Sequence, residues 1–459
     1  MTDPAGLEAT LREATERSLR YLSTLDERRV SPTAAEVRQL DSLDGPLPDS
    51  GTDPREVIRL LDELGSPATV ASAGGRYFGF VIGSALPAAL GANWLAGAWN
   101  QNPALFVMSP VAARLEEIAL RWTRELLGLP SGSDGAFVTG DTMANFAGLA
   151  AARHAVLAQA GWDVEERGLG GAPTVNVVVG EEAHVSVLKA ISMLGLGRGR
   201  VVRVPTDPQG RMRAEAMPRL SGPSIVCLQA GNVNSGAFDP FGEIIARTQE
   251  DGAWVHVDGA FGMWAAVAPS RRHWTEGVEL ADSWATDGHK WLNVPYDSGM
   301  VFVRNPEDLR RAMSAGPAAY LAPSDQREPS HFTPELSRRA RGIETWAAIR
   351  SLGRSGIASM VERSCGFAAR IADRLREAGY EVLNEVMLNQ VLVAFGDDDT
   401  TARVITDLQT DGTCWCGGTR WHGRSAMRIS LSSWATTNED VERSLGAILR
   451  IARDAQPRR

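Results

Sequence analysis

Between residues 136 and 304, short apolar runs alternate with stretches of helical periodicity, and this alternation limits the fold more than any other feature of the chain. AFVTG, VNVVVG, RVVRVP, SIVCLQA, WVHVDGA and MVFVR read as strands, with helices over 143–160, 185–194 and 242–250 between them. A strand that is apolar along its whole length must be covered on both faces. The pattern therefore predicts a mostly parallel sheet between helical layers, an α/β architecture. Ligands on such a sheet bind beyond the carboxyl ends of the strands, so the residues that follow each run are the candidates for function.

The flanking segments read differently. Up to about residue 70 the leucines recur at helical spacing (Leu7, Leu11, Leu19, Leu22, then Val57, Leu60, Leu61, Leu64), interrupted by DSLDGPLPDSGTDP, which predicts a helical arm. Residues 78–113 carry no charge. Gly79, Gly83, Pro87, Gly91, Asn93, Asn100, Gln101, Asn102 and Pro103 break the run too often for a membrane span, so it is expected to pack in an interior or a subunit interface. A long helical region over 337–377, broken at 353–356, precedes EVLN, NQVLVAF, a helix over 402–409, AMRISLS and a last helix over 438–453, which together predict a small α+β domain. The expected division is an N-terminal helical arm (1–75), a large α/β domain (76–343) and a small C-terminal domain (344–459).

At 459 residues and 44% hydrophobic content, the chain can bury more than one core. Its net charge of −9, with both signs interleaved, argues against nucleic acid or an anionic membrane as partner. The charged N-terminus has no apolar core of a secretory signal, which makes the cytoplasm the expected location. Four scattered cysteines suit a reducing compartment. Cys414, Cys416 and His422 match no zinc-binding spacing, so no metal is expected.

Four features follow one another along the sheet segment. Gly140, Asp141 and Thr142 join a strand to a helix, where backbone N–H groups and the Thr142 hydroxyl meet a phosphate dianion, with the Asp141 side chain turned away. His184 follows the next strand and is placed to lie flat on an aromatic ring. Asp258 ends the apolar strand WVHVD, where a carboxylate facing a pyridine nitrogen keeps it protonated; Ala260 is small enough to let a ring pass. Lys290, between His289 and Trp291, is expected to be partly buried, which favours the neutral amine able to form a Schiff base with pyridoxal 5′-phosphate (PLP). Each feature alone also has an ordinary structural reading. Their order and spacing favour a PLP site.

The motifs TGDTMANFAG, EEAHVSVLKA, HVDGAFG and DGHKWLN resemble those of the group II PLP-dependent amino-acid decarboxylases, the family of aromatic-amino-acid and glutamate decarboxylases, over residues 77–341. The resemblance implies the aspartate-aminotransferase-like fold type I and a homodimer with its site at the subunit interface. It makes Lys290 the Schiff-base lysine, Asp258 the partner of the ring nitrogen, His184 the stacking ring, Asp141 and Thr142 the phosphate pair, and Asp287 and His289 the polar residues before the lysine. AGPAAYLAPSDQ resembles the family's mobile loop, with Tyr320 as the residue that protonates Cα. SRRARGIETW brings Arg338, Arg339 and Arg341 near the site, although two of the three read as a solvated helix face. Two departures stand out: Asp141 replaces a small or hydroxyl residue, and Gly231, Asn232 and Val233 stand where relatives have threonines, with Asn232 among the cofactor contacts.

The expected reaction is decarboxylation of an L-amino acid to its amine, with protonation at Cα by Tyr320 or by His184 through a water. Decarboxylative oxidation, transamination and aldol-type cleavage use the same cofactor, and a catalytically silent dimeric homologue is a further alternative. Tyr320 favours simple decarboxylation, because family members without it tend to consume oxygen. Phe78, Phe80, Ile82, Asn100, Gln101, Asn102, Phe106, Trp415 and Trp421 are candidates for the pocket, which leans toward an aromatic or apolar substrate. Tyr296 has no assigned role.

Overall fold

The computed structural model describes residues 4–314 and 325–456. Seven strands form the main sheet: β1 (Asp134–Val138), β2 (Asn176–Gly180), β3 (Val202–Val204), β4 (Ser224–Gln229), β5 (Trp254–Asp258), β6 (Ser283–Asp287) and β7 (Gly299–Val303). Their order is β1-β7-β6-β5-β4-β2-β3. β7 runs antiparallel to both β1 and β6, and the other six strands share one direction. The mostly parallel sheet expected from the sequence is therefore present, with one reversed strand.

Alternation along the strands explains why they are apolar throughout. Phe137, Val178, Val226, Val255, Val257 and Phe302 enter one core, whereas Val138, Val177, Val179, Ile225 and Val301 enter another on the opposite face. The helix Asp141–Gln159 covers that second face. It packs closely where Gly148 lies against His256 of β5, since a Cβ at Gly148 would come within 2.8 Å of His256 Cε1.

A second, antiparallel sheet has the order β10-β11-β9-β8, from β8 (Glu381–Val382), β9 (Gln390–Ala394), β10 (Gly417–Trp421) and β11 (Arg424–Ser430). It builds its own core with the helices Asp398–Asp411 and Asn438–Asp454. The helix Arg341–Glu377 spans both regions, with a break at Gly353 (φ 61°), a left-handed conformation that glycine adopts at little cost. The helices Pro4–Ser23 and Pro54–Gly65 pack on each other at the N-terminal end. The uncharged stretch forms the helix Pro87–Trp99. Among the described residues, no helix is long and apolar enough to cross a membrane.

Two expectations for individual residues are overturned. Phe78 is not a pocket wall: it is fully buried in the core of the second sheet, because its backbone bonds to Trp415 and Ser430 and turns the ring inward. Arg338 and Arg341 are not on a solvated face. Arg338 is buried against Glu116 at 2.9 Å, and Arg341 pairs with Asp297 at 2.8 Å. Only Arg339 is substantially exposed, beside Glu344.

Candidate active site

Four strands of common direction deliver a polar residue to one place. β1 leads into Gly140 and Asp141, β2 into His184, β5 ends on Asp258, and β6 ends on Asp287, three residues before Lys290. Polar side-chain atoms of Asp141, His184 and Asp258 lie within 4.8 Å of one another. Asp287 Oδ2 is 2.9 Å from Lys290 Nζ and 3.6 Å from His289 Nε2.

Backbone contacts hold these groups in register. Ala260 N–H donates to Asp258 Oδ1 at 3.3 Å, while Ala260 O accepts from Asp287 N–H at 2.9 Å, so Ala260 joins the two acids. Gly299, at the start of the reversed strand, lies against Gly140, where any Cβ would come within 2.5 Å of Gly140 Cα. His184 occupies the N-cap of the helix Val185–Met193, and its Nδ1 accepts from Ser186 N–H at 3.3 Å. His289 Nδ1 accepts from Ser298 N–H at 3.0 Å, and its ring stacks on Tyr296 with centroids 4.4 Å apart. Asn232 takes a different course. Its Oδ1 accepts from Asn234 and Ser235 N–H, and its Nδ2 donates to Glu182 O, so its carboxamide serves the loop after β4. Thr142 is half-buried at the second position of its helix. Tyr320 lies outside the described residues.

Electrostatics correct one expectation. Burial does favour a neutral Lys290, but Asp287, Asp141 and Asp258 outweigh it and raise the amine above its ordinary value, so the amine stays charged. Burial lowers His184 and His289 against the opposing pull of the neighbouring carboxylates, and both imidazoles are held toward the neutral form. Asp141 is raised well above the usual carboxylate range, first by burial and then by Asp258 and Asp287.

Several participants escaped sequence reasoning. Asn145 donates to Asp141 Oδ2 at 2.9 Å, and Ser186 Oγ lies 3.0 Å from the same oxygen. Arg428 of β11 is a mostly buried cation whose charge reaches His184 and Tyr77. Tyr77 stacks on Trp415 (5.1 Å between centroids), which also stacks on Phe80 (5.3 Å). The Tyr77 phenol is pushed up to about 12 by burial and by Tyr296, with Arg428 opposing. Trp421 is buried elsewhere, over Gly210.

A lysine amine among carboxylates at the carboxyl ends of a parallel sheet, beside a neutral imidazole and a helix N-terminus, defines the class of fold type I PLP enzymes. The groups fit that cofactor. The first N–H groups of the helix Asp141–Gln159 have no acceptor within the helix, and the buried Oδ1 atoms of Asp141 and Asp287 have no hydrogen-bond partner among the described residues. Residues 76–396 match the pyridoxal-dependent decarboxylase conserved domain, and the chain belongs to that family: it is a PLP-dependent carboxy-lyase. It is 25% identical to an aromatic-L-amino-acid decarboxylase of Bacillus atrophaeus over 454 residues, covering 94% of this chain and 92% of the relative. It is 29% identical to the acidic amino acid decarboxylase GADL1 of Mus musculus, over 76% of this chain and 65% of that one. Its fold matches the crystal structure of Oryza sativa TDC with PLP and tryptamine at a TM-score of 0.91, with 22% identity and 98% of each chain covered.

Proposed function

We propose that this chain removes the α-carboxylate of an L-amino acid as carbon dioxide and releases the amine, with Lys290 anchoring PLP as a Schiff base. The observation that carries this reading is the convergence of Lys290 on Asp287, Asp258 and Asp141 at the carboxyl ends of one sheet. When bound, PLP supplies an electron sink for the pair left on Cα as the carboxylate departs. In this reading Asp258 keeps a proton on the ring nitrogen, and His184, neutral, lays its flat face on the ring. Gly140 and Thr142 offer N–H groups and a hydroxyl to the phosphate, with Asp141 behind them. Ala260 leaves room for the ring, Asn232 shapes the neighbouring loop, and His289 supports Asp287. Asp287 holds the Lys290 amine in place. Tyr320 delivers the proton to Cα, with His184 through a water as the second donor.

The stack of Tyr77, Trp415 and Phe80 supports a substrate with an aromatic or apolar side chain. Large apolar side chains exposed on the N-terminal helices and on Pro87–Trp99, among them Leu11, Leu19, Leu61, Trp94, Leu95 and Trp99, support a homodimer that covers them. The proposed working unit is a cytoplasmic dimer of chains divided near residues 75 and 343.

The test is a panel of amino acids offered to the purified, PLP-loaded protein, with carbon dioxide, amine and oxygen measured together. Carbon dioxide and amine in equal amounts without oxygen uptake support the reading, and Lys290→Ala then removes both the visible cofactor absorbance and the activity. Aldehyde with oxygen uptake replaces it by decarboxylative oxidation. An unchanged spectrum in Lys290→Ala removes the lysine assignment.

A further inference from the structure

Asp141 and Asp258 share the same two donors. Asn145 Nδ2 reaches Asp141 Oδ2 at 2.9 Å and Asp258 Oδ2 at 3.3 Å; Ser186 Oγ reaches the same two oxygens at 3.0 and 3.4 Å. A relay within the core fixes which way Asn145 points. Trp254 Nε1–H donates to Ser283 Oγ at 2.8 Å, which leaves the Ser283 proton for His256 Nδ1 at 2.8 Å. His256 Nε2–H then donates to Asn145 Oδ1 at 2.8 Å, turning the NH2 group of Asn145 toward the two acids. Burial pushes His256 down to about 4, so this imidazole is neutral and adds no positive charge.

Protons are then short. Ser186 has a single hydroxyl proton, and three acceptors stand within reach: both aspartates and His184 Nδ1 at 2.7 Å. His184 Nδ1 already accepts from the backbone, so it brings no proton to the cluster. Asp141 is 6% exposed, and its Oδ1 is buried with no partner among the described residues. The nearby ammonium, Lys290, is paired with Asp287. Two ionised carboxylates here would leave a second negative charge buried without a counter-ion, at a cost that a single proton removes.

We propose that Asp141 is a positioning residue held as a neutral carboxylic acid, sharing one proton with Asp258 so that the pair carries one negative charge. The Asp141 O–H donates to Ser186 Oγ, and the Ser186 proton turns to Asp258 or His184 Nδ1. Asp258 keeps the charge. The charged groups facing Asp141 are Asp258 from β5, Asp287 from β6 and Lys290 from the turn after it, with the neutral His184 from the adjoining helix. The proton sharing is a property of the chain itself; its effect on PLP rests on the function proposed above.

Infrared spectra of the purified protein, PLP-loaded and after removal of PLP with an amine reagent, test the pair. At neutral pH the wild type should show the carbonyl band of a neutral carboxylic acid, lost in Asp141→Asn. Its titration midpoint should fall in Asp258→Asn, where the facing charge is gone, and rise in Lys290→Ala, where the favourable cation is gone. The opposite signs keep the test decisive if one variant fails to fold. A missing band, a band that survives Asp141→Asn, or a midpoint that neither folded variant moves overturns the proposal. For the positioning role, Asp141→Ala should weaken PLP binding about tenfold, the scale of one lost hydrogen bond to a charged group, and Asp141→Asn should restore most of it. Equal weakening in both variants overturns that role. Absence of visible absorbance when PLP is added to the wild type would instead remove the cofactor assignment, leaving the infrared result standing.

Discussion

Lys290 Nζ lies 2.9 Å from Asp287 Oδ2, and the other oxygen of that carboxylate is buried without a partner among the described residues. The lysine is thus the counter-ion of an acid that has little else to satisfy it. Only a neutral amine attacks an aldehyde, so in the proposed role of Lys290 this pairing would slow the anchoring of PLP while holding the amine in position.

Asp287→Asn should lower the Lys290 pKa. The rate at which visible absorbance develops after PLP is added to the stripped protein should climb with pH in both proteins, and the variant's climb should start at a lower pH. Superimposable pH profiles would count against the pairing. The same shift has a stability consequence with a fixed sign. A lysine raised in the folded state stabilises it fully below the ordinary lysine value and loses that contribution as pH rises through the folded value. Alkaline melting should therefore steepen in the wild type relative to Asp287→Asn.

The Arg338–Glu116 pair is almost wholly buried, with Arg338 also donating to the carbonyls of Phe137 and Pro103. Glu116→Ala leaves a buried guanidinium short of its partner and should cost about 3–5 kcal/mol. Glu116→Leu combined with Arg338→Met should cost clearly less than the sum of the two single changes. Unfolding midpoints of the three variants decide it, and additive losses would argue that the pair does not act as a unit.

His256 is neutral inside the fold. Its folded pKa is about 4 against an unfolded value near 6.5, so its stabilising contribution is present above the unfolded value and is lost as pH falls through the folded one. His256→Gln should flatten the fall in melting temperature between about pH 6.5 and 4. Comparing the two proteins cancels the opposing contribution of Asp239, which burial raises to about 6. Parallel curves would mean that His256 does not titrate on unfolding in this range.

Trp415 lies against Gly79, where a Cβ would come within 2.3 Å of the indole. Trp415→Ala, or Gly79→Ala by displacing the indole, should raise KM for the substrate that the amino-acid panel identifies by about threefold to tenfold, the scale of an aromatic pair. The visible absorbance should persist. An unchanged KM in Trp415→Ala would remove the stack from the substrate pocket.

The fold class was legible because the alternation of apolar runs and helices leaves few alternatives. The reversal of β7 was not, since a doubly covered strand looks the same in either direction. Phe78 and Arg338 depend on partners far along the chain, Trp415 and Glu116, which no local pattern announces. Other members of the cluster had left a signal. Asn145 stands four residues after Asp141 on one helix face, and His256 stands two residues before Asp258 on one strand face, so spacing alone places each beside a residue that had been singled out. The Lys290 charge was misjudged for a physical reason: burial was visible in the flanking aromatic residues, but the acids that outweigh it, Asp287 foremost, come together only in the folded sheet.

Gly83 donates its N–H to His289 O, and a side chain on it would overlap the Lys290 carbonyl at 1.9 Å. The uncharged stretch and the lysine turn are therefore bolted together, main chain to main chain. An engineer wishing to retune the proposed pocket by editing residues 79–83 would also be adjusting the mount of the amine proposed to carry PLP, and variants in that loop should be screened for retained cofactor before any change in substrate preference is credited to the loop.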